Sequence, residues 1–482
     1  MRIQHFFPRL CANGISLALA LALACGGAVE AAAQDAAQDD EVVKVRTRVV
    51  FLDALVTDRK TKSFAAGLTA ENFEVLADGR PRPVSYFTRE GDKNRRPLAL
   101  ALVFDLERLG AGRYMRRTEI LEAMAAELSK LPPEDEVAVI VLDPNGVDNR
   151  REWLTPFTRN RAQVASAMAI VPTLVGEGAD GVDTAAKETE PAAQVEQKEK
   201  AKRAEEKGEK GEKGEKGTSI TVGTGGVKVE SGGGKDKTVN EKDENVEVDY
   251  VKDRKGNTVK RIVKADGSMI IERRNEDGSI TSEYQEPFDL ASASVEITKR
   301  ATAERPNSQP ALVYITDGIA PVFYTQRDYV ESKLLKSNVI FSALVTDMKT
   351  GFKFAMPILK PLGNLAGISI SGSAQYLAKA TGGETVRVRR PADYADGLGR
   401  IVGNLNSRYS LGFTLAETES DDGRMHPLEV RVRARDAKGK ERKLEVKARR
   451  GYYLTVDAKS KSAEAAKKAE AGEATRTEPG KN

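Results

Sequence analysis

Between residues 42 and 90 the chain alternates apolar and polar positions with a period of two. Val43, Val45, Thr47 and Val49 are separated mostly by charged neighbours, and Leu52-Asp53-Ala54-Leu55-Val56 runs into the turn Asp58-Arg59-Lys60. Phe73-Glu74-Val75-Leu76 and Val84-Ser85-Tyr86-Phe87 predict two further strands, joined at the turn Asp78-Gly79. Such a sheet has one apolar face and needs a partner to cover it.

A different pattern begins at Leu98. Leu98 to Asp105 and Val137 to Leu142 are continuously apolar and are each capped by a carboxylate, Asp105 or Asp143. Continuous runs of this length predict parallel strands covered on both faces. Ile120, Met124, Leu128 and Leu131 share one face of a helix that Pro132-Pro133 stops, and a second helix is predicted over Arg161 to Ile170. The alternation resumes with strands at Ala311–Asp317, Val339–Val345 and Thr385–Val388. Helices are predicted near Arg327–Lys336, Ser373–Ala380 and Tyr394–Leu405. Repeated βα units imply an α/β fold, with a mostly parallel sheet and helices on both faces.

The intervening residues 175–305 read as an insertion: a Glu/Lys-rich linker over 187–217, then a small β-meander with turns near Gly256, Gly267 and Gly278. Few large apolar residues lie on its faces, so independent folding is not expected. After Arg408 the period-two pattern returns in Tyr409–Phe413, Leu428–Ala434 and Arg442–Ala448. The segments 42–90 and 408–455 are too small to form separate cores and are expected to pair as one β-sandwich around the α/β domain, whose two parts are 97–174 and 306–407. Residues 456–482 carry no apolar face and are expected to be a disordered tail.

Residues 1–33 predict an export signal: Arg2 and Arg9, the apolar run Ile15–Ala24, and Ala31-Ala32-Ala33 as cleavage site. The expected location is periplasmic or secreted. Lipidation at Cys25 is the alternative, but Ala22 stands where a lipobox has Leu. No later run is apolar enough to span a bilayer. With Cys11 and Cys25 removed, no thiol remains to form a nucleophile, a disulfide or a zinc site, and His426 is left as the only imidazole. It precedes Pro427 in a Gly/Asp-rich stretch and is expected to be an exposed bystander. Trp153 is expected in the core. Seventy-six Lys+Arg balance 72 Asp+Glu, which names neither a nucleic-acid partner nor an acidic tether. No glycine-rich loop opens a helix after a strand, and Gly363 and Gly367 read as a loop. These observations predict no enzyme activity and no nucleic-acid binding.

Three groups of residues together resemble the von Willebrand factor A-related (VWFA-related) family of acidobacterial exported proteins. They are the leader around Val56–Gly79, which includes Gly67-Leu68-Thr69 and Glu71-Asn72-Phe73; Leu98–Asp105 with Ile315-Thr316-Asp317-Gly318; and the endings Arg408-Tyr409-Ser410-Leu411-Gly412-Phe413 and Ala448-Arg449-Arg450-Gly451-Tyr452-Tyr453. The resemblance implies a Rossmann-like A domain flanked by a β-sandwich and a protein ligand rather than a substrate. It also implies a metal-ion-dependent adhesion site at the carboxyl ends of the strands, with Mg²⁺ or another divalent cation as the cofactor in question. Asp105 matches the first position of the family's D-x-S-x-S motif and Asp317 its later Asp, but Glu107 and Leu109 replace the two serines. Leu109 cannot ligate, so the motif Asp105, Glu107, Asp317 is degenerate. The competing reading makes these acids solvated strand-end carboxylates paired with Arg108 or Arg113, and the protein a structural or envelope-assembly scaffold with a metal-free A domain.

Overall fold

The computed structural model describes residues 48–454, except 107–111, 143–150, 176–217, 224–225, 232–245, 253–257, 265–266, 275–277, 317–319, 348–349, 417, 420 and 437. The expected export segment, the Glu/Lys-rich linker and the C-terminal tail fall outside the described residues.

The first strands are β1 (Val49–Asp58), β2 (Phe73–Ala77), β3 (Arg80–Arg82) and β4 (Tyr86–Thr88). The α/β region opens with β5 (Leu98–Asp105), the short α1 (Gly112–Met115), α2 (Thr118–Ser129), β6 (Glu136–Leu142), β7 (Arg151–Thr158) and α3 (Arg161–Leu174). β7 is an antiparallel edge strand beside β6, with a register shift near Pro156. The sequence pattern did not predict it, because Pro cannot donate to a ladder and is tolerated there only at an edge or bulge.

The inserted region contributes a two-stranded ribbon, β8 (Thr218–Gly223) and β9 (Gly226–Ser231), and an antiparallel four-stranded sheet. That sheet is the predicted meander: β10 (Glu247–Lys252), β11 (Thr258–Val263), β12 (Met269–Arg274) and β13 (Ile280–Gln285). It does not stand alone, since Val259, Val263, Met269 and Ile271 pack with Tyr329 and Val295. The insertion also ends earlier than residue 305. Helix α4 (Asp289–Glu304) buries Leu290, Ala291, Ala293, Ile297 and Ala301 against the main sheet.

Next come β14 (Gln309–Thr316), β15 (Val322–Phe323), α5 (Tyr324–Lys336), β16 (Ile340–Thr346), α6 (Thr350–Leu365), β17 (Ile368–Ser369), α7 (Ser373–Thr381), β18 (Thr385–Val388) and α8 (Asp393–Asn406). Gly363 therefore lies in a helix and not in the loop its sequence suggested.

The main sheet has the order β18-β16-β14-β5-β6-β7, parallel except for β7. Its two faces are chemically distinct. Leu98, Leu100, Leu102 and Phe104 point into one core with α2, α3 and α8, while Ala99, Ala101 and Val103 point into a second with α4, α5 and α7. Small residues on that second face, met by Ala291, Ala293, Ala374 and Ala378, allow the helices to approach closely. Each fully buried Leu or Phe contributes about 1.5–3 kcal/mol from apolar burial.

The chain ends with β19 (Tyr409–Thr414), β20 (Met425–Val432), β21 (Leu444–Lys447) and β22 (Gly451–Tyr453). These interleave with the first strands as two four-stranded sheets, β21-β1-β19-β4 and β22-β20-β2-β3, which share one core around Leu52, Val75, Tyr409, Leu411, Phe413 and Tyr452. The two terminal segments thus complete each other.

Candidate functional site

The strand order reverses between β5 and β14, so the connections on either side of that boundary lead away from it in opposite directions. Open α/β sheets bind ligands at this kind of switch point. Asp105 is the last residue of β5 and Thr316 the last of β14, which places both at the boundary. Asp105 is not the solvated carboxylate of the competing expectation. It is buried, and its Oδ2 accepts hydrogen bonds from Thr316 Oγ1 at 3.1 Å and Tyr314 Oη at 3.4 Å. One strand further on, Thr346 Oγ1 and Tyr394 Oη are 2.5 Å apart, with the Tyr114 ring edge-on to Tyr394. The carboxyl edge therefore presents one buried carboxylate among hydroxyls.

A carboxylate and a hydroxyl are the right chemistry for a hard divalent cation but too few ligands to hold one. Among the described residues no group of three or more His, Cys, Asp or Glu gathers that could hold a metal ion. Glu107 and Asp317, which would complete the set, lie outside the described residues, as do Arg108 and the side chain of Arg113. The residues described thus supply part of a cation site and not the whole.

A second feature belongs to the same edge. α6 begins four residues after β16 ends, and β17 then pairs antiparallel with β15, tying the segment back beside the start of α5. Its side chains Ile358, Leu362 and Leu365 are 67%, 58% and 87% exposed. Three adjacent aliphatic side chains in water form a patch of the kind used for partner contact.

No protein-family model and no curated protein matches the chain. Its chemistry is therefore read from the geometry alone.

His426 differs from its expectation. It is buried, its Nδ1 lies 2.7 Å from Asp78 Oδ2 and its Nε2 3.1 Å from Asp422 Oδ1, and its ring packs on Tyr452. Both nitrogens are engaged in holding the sandwich together. Trp153 is half-buried, with Arg300 lying 3.9 Å over its ring.

The motifs at the end of the chain turn out to carry a polar hub between the sandwich and the α/β region. Asp53, buried in β1, accepts from Arg96 at 3.3 Å and Asn338 at 3.4 Å, and bonds Ser410. Arg408 donates to Gly382 O at 2.7 Å, Arg449 to Leu335 O at 3.0 Å, and Arg450 to Tyr376 Oη at 2.7 Å. Burial lowers the Arg408 guanidinium and brings Arg449 down to about 10, with Asp53 opposing both shifts. Tyr409 Oη donates to Ala65 O at 2.7 Å and accepts from Leu68 N, which fastens the leader to β19. Asn72 Nδ2 donates to Arg433 O, just past β20, the neighbour of β2 in the same sheet. Sequence reasoning missed Asp53, although a carboxylate inside Leu52-Asp53-Ala54-Leu55 was a signal, since an unpaired charge is not tolerated there.

Proposed function

We propose that the chain is an exported, non-enzymatic binding protein of the VWFA-related type, whose A-like domain recognises a protein ligand at the carboxyl edge of its sheet. The observation that carries this reading is the placement of Asp105 and Thr316 together at the switch point of the strand order. The parallel core with helices on both faces and the sandwich formed from both terminal segments support the A-domain part of the reading. The exposed aliphatic side chains of α6 give the same edge an apolar contact surface. A divalent cation such as Mg²⁺ at Asp105, completed by Glu107 and Asp317, would offer an open position to a carboxylate of the ligand.

Thermal unfolding of the exported form, from Gln34 onward, tests the cation part. A cation bound only by the folded state stabilises it by RT ln(1 + [L]/Kd), about 2.7 kcal/mol at a hundredfold excess over Kd. The expected result is a midpoint that rises with Mg²⁺ or Mn²⁺ and does not respond in Asp105→Ala. No response of the parent protein at millimolar cation would favour the second reading, a metal-free scaffold. In that reading the hydroxyls of Thr316 and Tyr314 are what hold the Asp105 carboxylate.

A further inference from the structure

A cavity of about 470 Å³ lies where the inserted sheet β10–β13 meets α4 and α5. It is within the size range of small-molecule sites, roughly 300–1,000 Å³. Its walls are apolar: Val263 and Met269 from the inserted sheet, Val295 from α4, Val330 from α5. Among the described residues its charged lining is one-sided, with Arg151, Lys264, Lys299 and Arg300 against a single carboxylate, Glu296; Arg300 also pairs with Glu304 at 2.6 Å. Arg151 Nε takes the Glu296 carboxylate at 3.0 Å, while its Nη1 is buried without a partner among the described residues. Lys264 and Lys299 have no ion pair among the described residues; Lys264 instead lies over the Tyr284 ring.

Gln326, in the wall of the cavity, carries an acceptor without a partner among the described residues. Gln326 is 1% exposed, its Nε2 donates to Glu286 O at 2.7 Å, and its Oε1 is buried with no partner among the described residues. The bond to Glu286 fixes which way the amide points, so the free atom is an oxygen. Leaving a buried acceptor unpaired costs about 1–3 kcal/mol, which a ligand donor would recover.

We propose that this cavity is a binding site for an acyl chain carrying both a carboxylate and an N–H or O–H donor. The apolar walls take the chain, the cationic lining the carboxylate, and Gln326 Oε1 the donor. An N-acyl amino acid and a hydroxy fatty acid share this chemistry. The cavity's lining does not include Asp105 or Thr316, and the proposal does not depend on the reading of the carboxyl edge.

Isothermal titration of the exported full-length protein with N-decanoylglycine, 3-hydroxydecanoate, decanoate and decyltrimethylammonium tests the proposal. At least one of the two donor-bearing acids should bind tenfold or more tighter than decanoate, and which one does so identifies the source of the donor. The quaternary ammonium should bind a hundredfold more weakly or not at all. The double variant Lys264→Glu, Lys299→Glu should weaken the best acid at least tenfold with an unchanged melting midpoint. Ala303→Trp, at an exposed position lining the cavity, should do the same by obstruction. Equal binding of the cationic and anionic amphiphiles, or affinity unchanged in both variants, overturns the proposal.

Discussion

Replacing Asp53 should weaken the junction between the sandwich and the α/β region as strongly as truncating a buried Leu or Phe side chain. The carboxylate is 5% exposed and stands near three guanidinium groups: Arg96 bonds it directly, and it is the leading charge opposing the burial shifts of Arg408 and Arg449. Asp53→Ala leaves these cations buried with that carboxylate gone. Removing one partner of a buried charged set costs about 3–5 kcal/mol, because the remaining charge loses its compensation. Asp53→Asn keeps an acceptor for Arg96 and Ser410 and removes only the charge, so its cost should be nearer 1.5–3 kcal/mol, the worth of a hydrogen bond to a charged group. Urea unfolding followed by circular dichroism reads both values. At about 1 °C per kcal/mol for a chain of this size, Asp53→Ala should also lower Tm by about 3–5 °C. A loss below about 0.5 kcal/mol for either variant would show that the hub is not held by this charge, and the reasoning would fail.

Two further outcomes follow from local geometry. A Cβ on Gly383 would stand 1.9 Å from Phe341 O and could be relieved only by moving backbone, so Gly383→Ala should cost at least about 1–3 kcal/mol or give insoluble protein, as read by soluble yield and Tm. Burial raises the Asp422 carboxyl, but the Arg424 backbone N–H and guanidinium together with His426 outweigh it and hold the group down to about 2. A depressed carboxyl contributes stability above its unfolded value near 3.8 and loses it as pH falls toward 2. The Tm of the parent protein should therefore drop across that window, and Asp422→Asn should flatten part of the drop; identical pH profiles would contradict the assignment.

The sequence pattern made the parallel strands legible because strands covered on both faces leave uninterrupted apolar runs, as in Leu98-Ala99-Leu100-Ala101-Leu102-Val103-Phe104. The sandwich was legible from its period of two and from the inability of either segment to bury a face alone. β7 and α6 were not, because each contains Pro: Pro156 at a bulged edge, Pro357 and Pro361 within a helix. Local pattern rules count those residues as strand and helix breakers. The burial of His426 was hidden for a different reason. Its Gly- and Asp-rich neighbourhood reads as a turn, whereas its partners Asp78 and Tyr452 come from distant strands. Of the site, Asp105 was legible as a strand-end carboxylate. Its pairing with Thr316 was not, since it depends on β5 and β14 becoming neighbours across the insertion.

Hydrogen–deuterium exchange of the chain from Gln34 onward, with and without millimolar Mg²⁺ or Mn²⁺, bears most directly on the proposed binding edge. Peptides ending at Asp105 and at Thr316 should gain protection on cation addition, and that gain should vanish in Asp105→Ala while the sandwich peptides stay unchanged. Protection that appears elsewhere, or persists in the variant, would contradict the placement of the ligand site at the switch point of the sheet.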